Sequence, residues 1–347
     1  MPLPRPSLTA VEGPSRRRLL AAGGALALAP LLAACGDGGT KDAAGSSSEG
    51  GGGAWSFKDD RGRTVRADDR PQRIVAYVST AAALYDYGVE CTGVFGPSAP
   101  IDGRPNPQAG DLDVGELTSL GTAWGQFNLE KYAALRPDLL VSNMFPAPDL
   151  WYVPAESSEK IEALAPTVGI DIARTSLLEP LRRTAALAES LGADLSAKKV
   201  TDAEARFEKA AETVRAAARD NGGLKVMAVT GDTENFYVAV PDSYSDLTFF
   251  KDLGVEFVEG KKSDEWGFWE FLSWENANKY HADLVMVDHR STSLSLKQLE
   301  EKATWRELPA VKAGQLTTWS MEERFSHAGF APVLERLAEA VGDAKRL

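Results

Sequence analysis

Two short sequences recur in the same order on either side of an uninterrupted helical stretch. Residues 86–90 (DYGVE) resemble residues 252–256 (DLGVE), and each would close a helix and enter a strand. In each half a glutamate also stands eight residues before an apolar segment, Glu130 before 138–141 and Glu275 before 283–286. Since chance seldom gives two correspondences in register, the sequence predicts two related lobes flanking a central element.

The central element is predicted to be one long helix. Residues 194–219 contain no glycine or proline, and Asn221-Gly222-Gly223 supplies a stop signal. Apolar side chains recur three and four residues apart, at Val200, Ala203, Phe207, Ala210, Val214 and Ala217. We therefore predict an N-terminal lobe over 54–193, an inter-lobe helix over 194–220 and a C-terminal lobe over 221–347. We expect the apolar stripe to lie along the back of both lobes and to permit only small lobe movements.

Within each half, strand patterns alternate with helix patterns. This order is typical of an α/β fold with mainly parallel sheets. Asp60-Arg61-Gly62 predicts a turn between two short strands, and Ser176 with Glu179 predicts a capping box that opens a helix ending at Leu191. A buried-type strand is predicted over 74–79. Further strands are predicted over 91–95, 117–120, 138–142 and 167–172, then 224–230, 236–240, 255–258, 283–287 and 316–318, and a helix is predicted near 273–280.

The N-terminus has the pattern of an export signal. Arg16-Arg17-Arg18 precedes an apolar run that ends in Leu32-Ala33-Ala34-Cys35. This run is too short for a membrane-spanning helix and ends like a bacterial lipobox. We therefore predict a twin-arginine lipoprotein signal over 1–35, acylation of Cys35 and a flexible Gly/Ser tether over 36–53. The protein would then be anchored on the outer face of the cytoplasmic membrane.

Composition narrows the class of protein. The formal net charge of −12 argues against nucleic acid as a partner. Cys91 lies in an apolar run and is predicted to be a buried small hydrophobe. We find no Gly-x-Ser-x-Gly or Gly-x-Gly-x-x-Gly motif, and three histidines are too few and too scattered for a metal site. No catalytic residue, cofactor or resident metal is predicted, although a lipid-anchored secreted enzyme stays an alternative.

A series of weak landmarks then occurs in a specific order. They are Asp60-x-Gly62, Pro71-x-Arg73-Ile74-Val75, Gly88-Val89, Ser119-Leu120-Gly121, Asn128-Leu129-Glu130, Leu135-x-Pro137-Asp138-Leu139, Leu253-Gly254, Ala282-Asp283-Leu284-Val285 and Trp305. Together with the lipoprotein leader, they make the chain resemble the substrate-binding proteins of ABC importers for iron–siderophores and cobalamin. The resemblance covers nearly the whole mature chain.

The resemblance implies a fold, partners and two docking residues. It implies two α/β lobes joined by one long backbone helix, with a ligand cleft between them. In that family one glutamate on each lobe docks onto arginines of the permease. The matching positions are Glu130 and Glu275, with Glu270 as a neighbouring candidate for the second. A permease and its ATPase subunits would be the partners, the iron would be held by the siderophore, and we expect a monomer.

Cleft contacts are expected from loops that follow the carboxyl ends of strands. These positions are rich in aromatic residues, which would form walls around a ligand. The expected contacts are Trp124, Phe145, Trp151, Tyr152, Tyr237, Tyr244, Trp266, Trp269 and Trp319, with Arg290 and Arg324 as cationic donors. His289 also stands at a strand end, without an assigned role.

The charge of these loops indicates a ligand class. Acidic residues accompany the aromatic ones. A ferric tris-catecholate is strongly anionic, and its binding would require several arginines or lysines. We therefore favour a neutral or cationic ligand such as a ferric hydroxamate, with cobalamin or haem as the alternative. Two positions depart from the hydroxamate binders that the sequence resembles. Ala123-Trp124 stands where those proteins have an arginine, and Phe145 where they have a tyrosine. The particular siderophore stays open.

Overall fold

The first half of the chain is built on a parallel sheet, in the computed structural model that describes residues 54–101, 106–262 and 264–347. The predicted signal over 1–35, Cys35 and the tether over 36–53 lie outside the described residues. Before the sheet comes an antiparallel hairpin of β1 (Trp55–Lys58) and β2 (Thr64–Ala67), joined by the predicted turn.

The described residues of the N-terminal lobe form five parallel strands in the order β5-β4-β3-β6-β7. The strands are β3 (Ile74–Tyr77), β4 (Gly93–Phe95), β5 (Thr118–Ser119), β6 (Leu139–Met144) and β7 (Thr167–Asp171). The helices between and after them are α1 (Val78–Asp86), α2 (Leu129–Leu135), α3 (Ser158–Leu164) and α4 (Leu178–Ser190). Strand β6 is buried along its whole length, as expected for a central strand covered on both faces.

The C-terminal lobe carries a mixed sheet. Its strands are β8 (Lys225–Gly231), β9 (Asn235–Ala239), β10 (Glu256–Phe257), β11 (Trp269–Ser273), β12 (Leu284–Asp288) and β13 (Leu316–Trp319). Strands β10, β8, β12 and β13 pair in parallel, whereas β9 and β11 form an antiparallel extension beyond β8. Its helices are α6 (Ser245–Asp252), α7 (Leu296–Glu300), α8 (Ala303–Glu307), α9 (Pro309–Lys312) and α10 (His327–Asp343).

The long helix between the lobes is α5 (Lys198–Asp220). It packs mainly on α10, and the two helices run in the same direction. Phe207 lies 5.1 Å from the His327 ring near the start of α10, and Asn221 donates to Val341 O (2.9 Å) near its end. In the first turn, Lys199 Nζ donates to Tyr85 O of the N-terminal lobe at 3.0 Å. The apolar stripe therefore packs chiefly on the C-terminal lobe rather than equally on both.

The α/β fold with two lobes and one long joining helix is confirmed, and the structure differs from the local predictions at three places. The capping box does not form, because Leu177 is the N-cap of α4 and the Glu179 carboxylate pairs with Arg182. The helix predicted near 273–280 is a 3-10 helix, Trp274–Lys279. Strand β11 was not predicted at all.

Burial agrees with the predicted core. The side chains of β3 and most of α1 are almost fully buried, and the Cys91 residue is 6% exposed. Burial raises the pKa of the Cys91 thiol to about 12, so it stays protonated as the predicted small hydrophobe. Across the described part of the chain, no helix combines the length and apolar character needed to span a bilayer.

Candidate ligand site at the lobe junction

Residues at the carboxyl ends of strands from both sheets meet where the lobes face each other. Tyr77 ends β3 and Phe145 follows β6 in the N-terminal lobe, while Asp288 ends β12 and Trp319 ends β13 in the C-terminal lobe. Parallel strands bring such ends to one edge of a sheet, where ligand sites of α/β proteins form. The two lobes are in contact here, because Phe145 stacks on Phe268, the residue before β11, with ring centroids 4.1 Å apart.

Eight of the nine aromatic residues predicted to contact ligand form a continuous aromatic row. The row begins in the N-terminal lobe, where Trp124 packs against Trp151 (4.9 Å) and Tyr152 (5.0 Å). It crosses the junction through Phe145, whose ring contacts both Trp151 (5.6 Å) and Tyr244 (5.8 Å). Its C-terminal end consists of ring contacts from Tyr244 to Trp269 (5.5 Å) and Trp319 (5.2 Å), and from Trp269 to Tyr237 (6.3 Å).

Exposure divides the row into a surface and a base. Trp124 is 48% exposed, and Trp151, Trp269 and Tyr237 are half-buried. The remaining members are buried and pack beneath them, namely Phe145, Tyr152, Tyr244 and Trp319. The exposed members are therefore the ones that a ligand could contact without a rearrangement.

Trp266 stands apart from the row. It is 42% exposed, and its carbonyl oxygen accepts a hydrogen bond from the Arg174 guanidinium of the N-terminal lobe. The same guanidinium lies 5.1 Å from the centre of the Phe268 ring. Arg174 and Phe268 are therefore junction residues that the sequence analysis missed.

Arg290 lies in a buried group of polar residues that we call the Arg290 cluster, made of Tyr77, Gln108, Asp288, Arg290 and Glu322. Its guanidinium pairs with Asp288, with Nη2 at 2.7 Å from Oδ2, and with Glu322 through Nη1. Glu322 also accepts from the Tyr77 hydroxyl and from Gln108 Nε2, the latter at 2.6 Å. The cluster thus joins the two lobes by hydrogen bonds.

Arg324 is also held by two carboxylates. Its guanidinium lies 3.3 Å from Asp86 and 3.3 Å from Asp111, both from the N-terminal lobe. Arg290 and Arg324 were expected to offer charge to a ligand, but each is neutralised within the protein. Asp288 is two residues from Arg290, but Glu322, Asp86 and Asp111 lie far from their arginines in the sequence, so no spacing pattern could reveal those three pairings.

A pocket of about 360 Å³ lies beside Arg324. Arg324 is the one predicted ligand contact among the residues that line this pocket. The pocket is therefore distinct from the aromatic row. It is lined by Pro107, Gly110, His289, Thr318, Glu323, Arg324, Gly329, Pro332 and Arg336. Burial raises the pKa of Glu323 to about 7 and lowers the pKa of His289.

A buried acid, Asp246, lies against the base of the row. Trp319 Nε1 donates to Asp246 Oδ2 at 2.6 Å, and both residues are at most 4% exposed. Burial raises the pKa of Asp246 to about 6, although the Trp319 hydrogen bond favours the ionised form. Within the described residues, no group of three or more His, Cys, Asp or Glu side chains is arranged to hold a metal ion.

The candidate docking glutamates differ in exposure. Glu130 is exposed in the first turn of α2, and Glu275 is exposed in the first turn of the 3-10 helix. Glu270 is buried instead, where its carboxylate accepts from Tyr280 (2.6 Å) and Lys261 N (2.7 Å) and pairs with Lys279. Of the two candidates in the C-terminal lobe, only Glu275 presents its carboxylate to a partner.

Comparisons with known proteins agree with this architecture. The profile of a family described as periplasmic binding protein matches residues 75–322. The iron-uptake system-binding protein of Bacillus subtilis (strain 168) is 26% identical over 190 residues, which are 53% of this chain and 56% of that protein. The chain therefore matches little more than half the length of this curated relative.

Solved structures give a more extensive match. DesE, a ferric-siderophore receptor protein from Streptomyces coelicolor, is 48% identical with a TM-score of 0.82, covering 84% of this chain and 99% of DesE. FeuA from Bacillus subtilis, solved with ferri-bacillibactin, is 17% identical with a TM-score of 0.60, covering 82% of this chain and 97% of FeuA.

The petrobactin-binding protein YclQ from Bacillus subtilis is 19% identical with a TM-score of 0.61, covering 84% of this chain and 98% of YclQ. FeuA and YclQ show the shared fold alone. The resemblance seen in the sequence is confirmed, and these similar proteins are binding proteins rather than enzymes. The chain belongs to the periplasmic binding protein family.

Proposed function

We propose that the protein is the extracytoplasmic binding component of an ABC importer and that it captures a ferric siderophore. The strongest support for the ligand is the 48% identity to a ferric-siderophore receptor protein across nearly all of that receptor. The exposed part of the aromatic row provides a surface that suits a large, partly apolar chelate. The protein itself needs no cofactor for this role, because the siderophore holds the iron.

Within this function we propose a ferric hydroxamate as the ligand type. The observation behind this choice is that Arg290 and Arg324 are each paired with two carboxylates. A ferric tris-hydroxamate is electrically neutral at its core, since three monoanionic groups balance the ferric ion. A ferric tris-catecholate is trianionic and would need unpaired cations that neither arginine supplies.

The proposal also includes the cellular location of the protein and the residues by which it docks onto the permease. Acylated Cys35 would anchor a monomer on the outer face of the cytoplasmic membrane after twin-arginine export. Glu130 and Glu275 would contact arginines of the permease, and its ATPase subunits would drive uptake. Exposure of both carboxylates supports this assignment, since carboxylate–arginine pairs form by direct bidentate contact.

A ligand panel tests the proposal. Purified protein beginning at residue 54 would be titrated with ferrioxamine-type, ferrichrome-type and tris-catecholate iron complexes, with cobalamin and with haem, and Trp fluorescence would be recorded. We expect saturable quenching by the hydroxamate complexes, with the other ligands requiring at least tenfold higher concentrations. Quenching by cobalamin or haem alone would contradict the siderophore proposal, and turnover of a bound ligand would favour the enzyme alternative.

A further inference from the structure

We propose that Glu322 sets the charge selectivity of the ligand site, because it gives the Arg290 cluster a surplus negative charge that disfavours anionic iron chelates. The inference rests on the proposed function, since it concerns which ferric chelates enter the same site. Glu322 lies in the segment between β13 and α10 and is 3% exposed.

Asp288 alone is sufficient to neutralise Arg290. Two nitrogens of the guanidinium contact the two oxygens of this carboxylate, with Nε 3.1 Å from Oδ1 and Nη2 2.7 Å from Oδ2. Asp288 is also held in place by Ser293 Oγ, which donates to Oδ2 at 2.9 Å. A bidentate pair of this kind is electrically balanced. Glu322 adds a second carboxylate at Nη1, so the cluster contains two acids and one base.

The other oxygen of Glu322 is held by neutral donors from the opposite lobe. Tyr77 donates its hydroxyl proton to Oε2, and Gln108 Nε2 donates to the same atom at 2.6 Å. Hydrogen bonds from neutral groups stabilise a carboxylate in its charged form without cancelling its charge. The surplus charge is therefore retained in a buried place.

The exposed surface of the aromatic row lies close to this charge. Trp124, which is 48% exposed, packs on Tyr152 at 5.0 Å, and Tyr152 packs on Tyr77 at 5.3 Å. Two buried rings thus separate the exposed indole from the Glu322 carboxylate. Burial raises the pKa of the Tyr152 hydroxyl, and the Glu322 carboxylate raises it further, with a smaller opposing effect from Arg290. Buried charges are weakly screened by salt, so part of this field would reach a ligand on Trp124.

This field distinguishes chelates of the same size by their charge. A trianionic tris-catecholate is repelled by the surplus carboxylate, whereas a neutral tris-hydroxamate is not. Discrimination of this kind works by penalising the wrong ligand rather than by adding a contact to the right one.

Charge-neutralising variants test the inference by the affinity of two iron complexes. Glu322→Gln and Asp288→Asn each remove one negative charge from the cluster at nearly constant shape. In either variant we expect affinity for a ferric tris-catecholate to rise at least tenfold, while affinity for a ferric tris-hydroxamate changes less than threefold. At pH 8, above the Glu323 pKa of about 7, Glu323→Gln is the matched control, because it removes the next carboxylate along the chain, which has no contact with Arg290. It should leave both affinities unchanged.

The outcomes separate this inference from the proposed function. If the wild-type protein binds no ferric chelate, the proposed function fails. If it binds the hydroxamate complex but folded Glu322→Gln and Asp288→Asn keep the wild-type preference, only the inference is overturned. Should neither variant fold, wild-type affinities for chelates bearing zero to three negative charges decide the question. A fall with each added charge supports the inference, and charge-independent affinities overturn it.

Discussion

The aromatic row and the Arg290 cluster occupy the same lobe junction but differ in exposure and chemistry. The row ends in an indole, Trp124, that is 48% exposed, whereas every member of the cluster is buried or nearly so. Exposed rings offer contact area at little cost to the folded state, while buried ion pairs must be complete to be tolerated. The comparison fits our proposals, in which the row binds ligand and the cluster, which joins the two lobes, sets the charge selectivity.

The largest expected effect is on folding, from Arg290→Ala. Removal of the guanidinium leaves Asp288 and Glu322 buried without their partner, which typically costs about 3–5 kcal/mol. Urea denaturation followed by circular dichroism measures the loss. Arg182→Ala is the control, because its ion pair with Glu179 is exposed to solvent and contributes little to stability. A loss below the control's would contradict the structural role given to the cluster.

A second effect concerns pH and the base of the row. The pKa of Asp246 is raised to about 6 in the folded protein, so the folded state binds a proton more readily than the unfolded state. Its contribution to stability is therefore present at low pH and is lost as the pH rises through 6. Glu323, with a pKa raised to about 7, acts in the same direction.

We expect Asp246 and Glu323 to increase the melting temperature as the pH falls from 8 to 5, whereas His289 and His327, whose pKa values are lowered by burial, act in the opposite direction. The Asp246 contribution is on the order of 1–2 kcal/mol over this range. Asp246→Asn should flatten the profile, and thermal melts at successive pH values would reveal it. A difference in melting temperature between wild type and Asp246→Asn that stays constant from pH 8 to pH 5 would contradict the raised pKa of Asp246.

A third effect should be on affinity and not on stability. Trp124→Ala removes the most exposed ring of the row, and we expect ligand affinity to fall about tenfold with less than about 1 kcal/mol change in unfolding free energy. Leu164→Ala is a matched control, since Leu164 is 45% exposed outside the row. Equal ligand affinities of the two variants would contradict a role of the aromatic row in ligand binding.

The smallest effect on the isolated protein should come from the docking candidates. Glu130→Lys and Glu275→Lys change exposed carboxylates that belong to neither the aromatic row nor the Arg290 cluster. Ligand affinity and stability should therefore stay within error of wild type. Uptake of the iron complex by cells should nevertheless be abolished. Glu204→Lys on α5 controls for charge alone. Loss of affinity in either docking variant would contradict the assignment.

The sequence predicted most elements because their patterns are local. It missed β11 because one inward residue of that strand is charged. Leu272 and Glu270 both face inward, and the buried Glu270 carboxylate accepts hydrogen bonds from Lys279 and Tyr280. A carboxylate in the buried register breaks the apolar alternation by which strands are recognised. Trp269, assigned to a loop, is therefore the first residue of this strand.

Most of the aromatic row was also predictable, because its rings lie at or after strand ends, with Tyr237 inside β9 and Trp269 at the start of β11 as the exceptions. The Arg290 cluster was not. Glu322 lies in an irregular segment, and its partners Tyr77 and Gln108 are more than two hundred residues away in the chain. Pairings of this kind are created by the packing of the lobes, and no local spacing encodes them. The predicted roles in ligand binding stay predictions.

The attachment of α5 to α10 has a consequence for how the chain can be divided. Since α5 packs mainly on the C-terminal lobe, the covalent passage between lobes is the short segment from Leu191 to Ala197, where Gly192 and Ser196 are exposed. A break in this segment would leave each sheet with its own helices. The protein is therefore a natural candidate for a split design, in which two chains reassemble through the lobe junction alone.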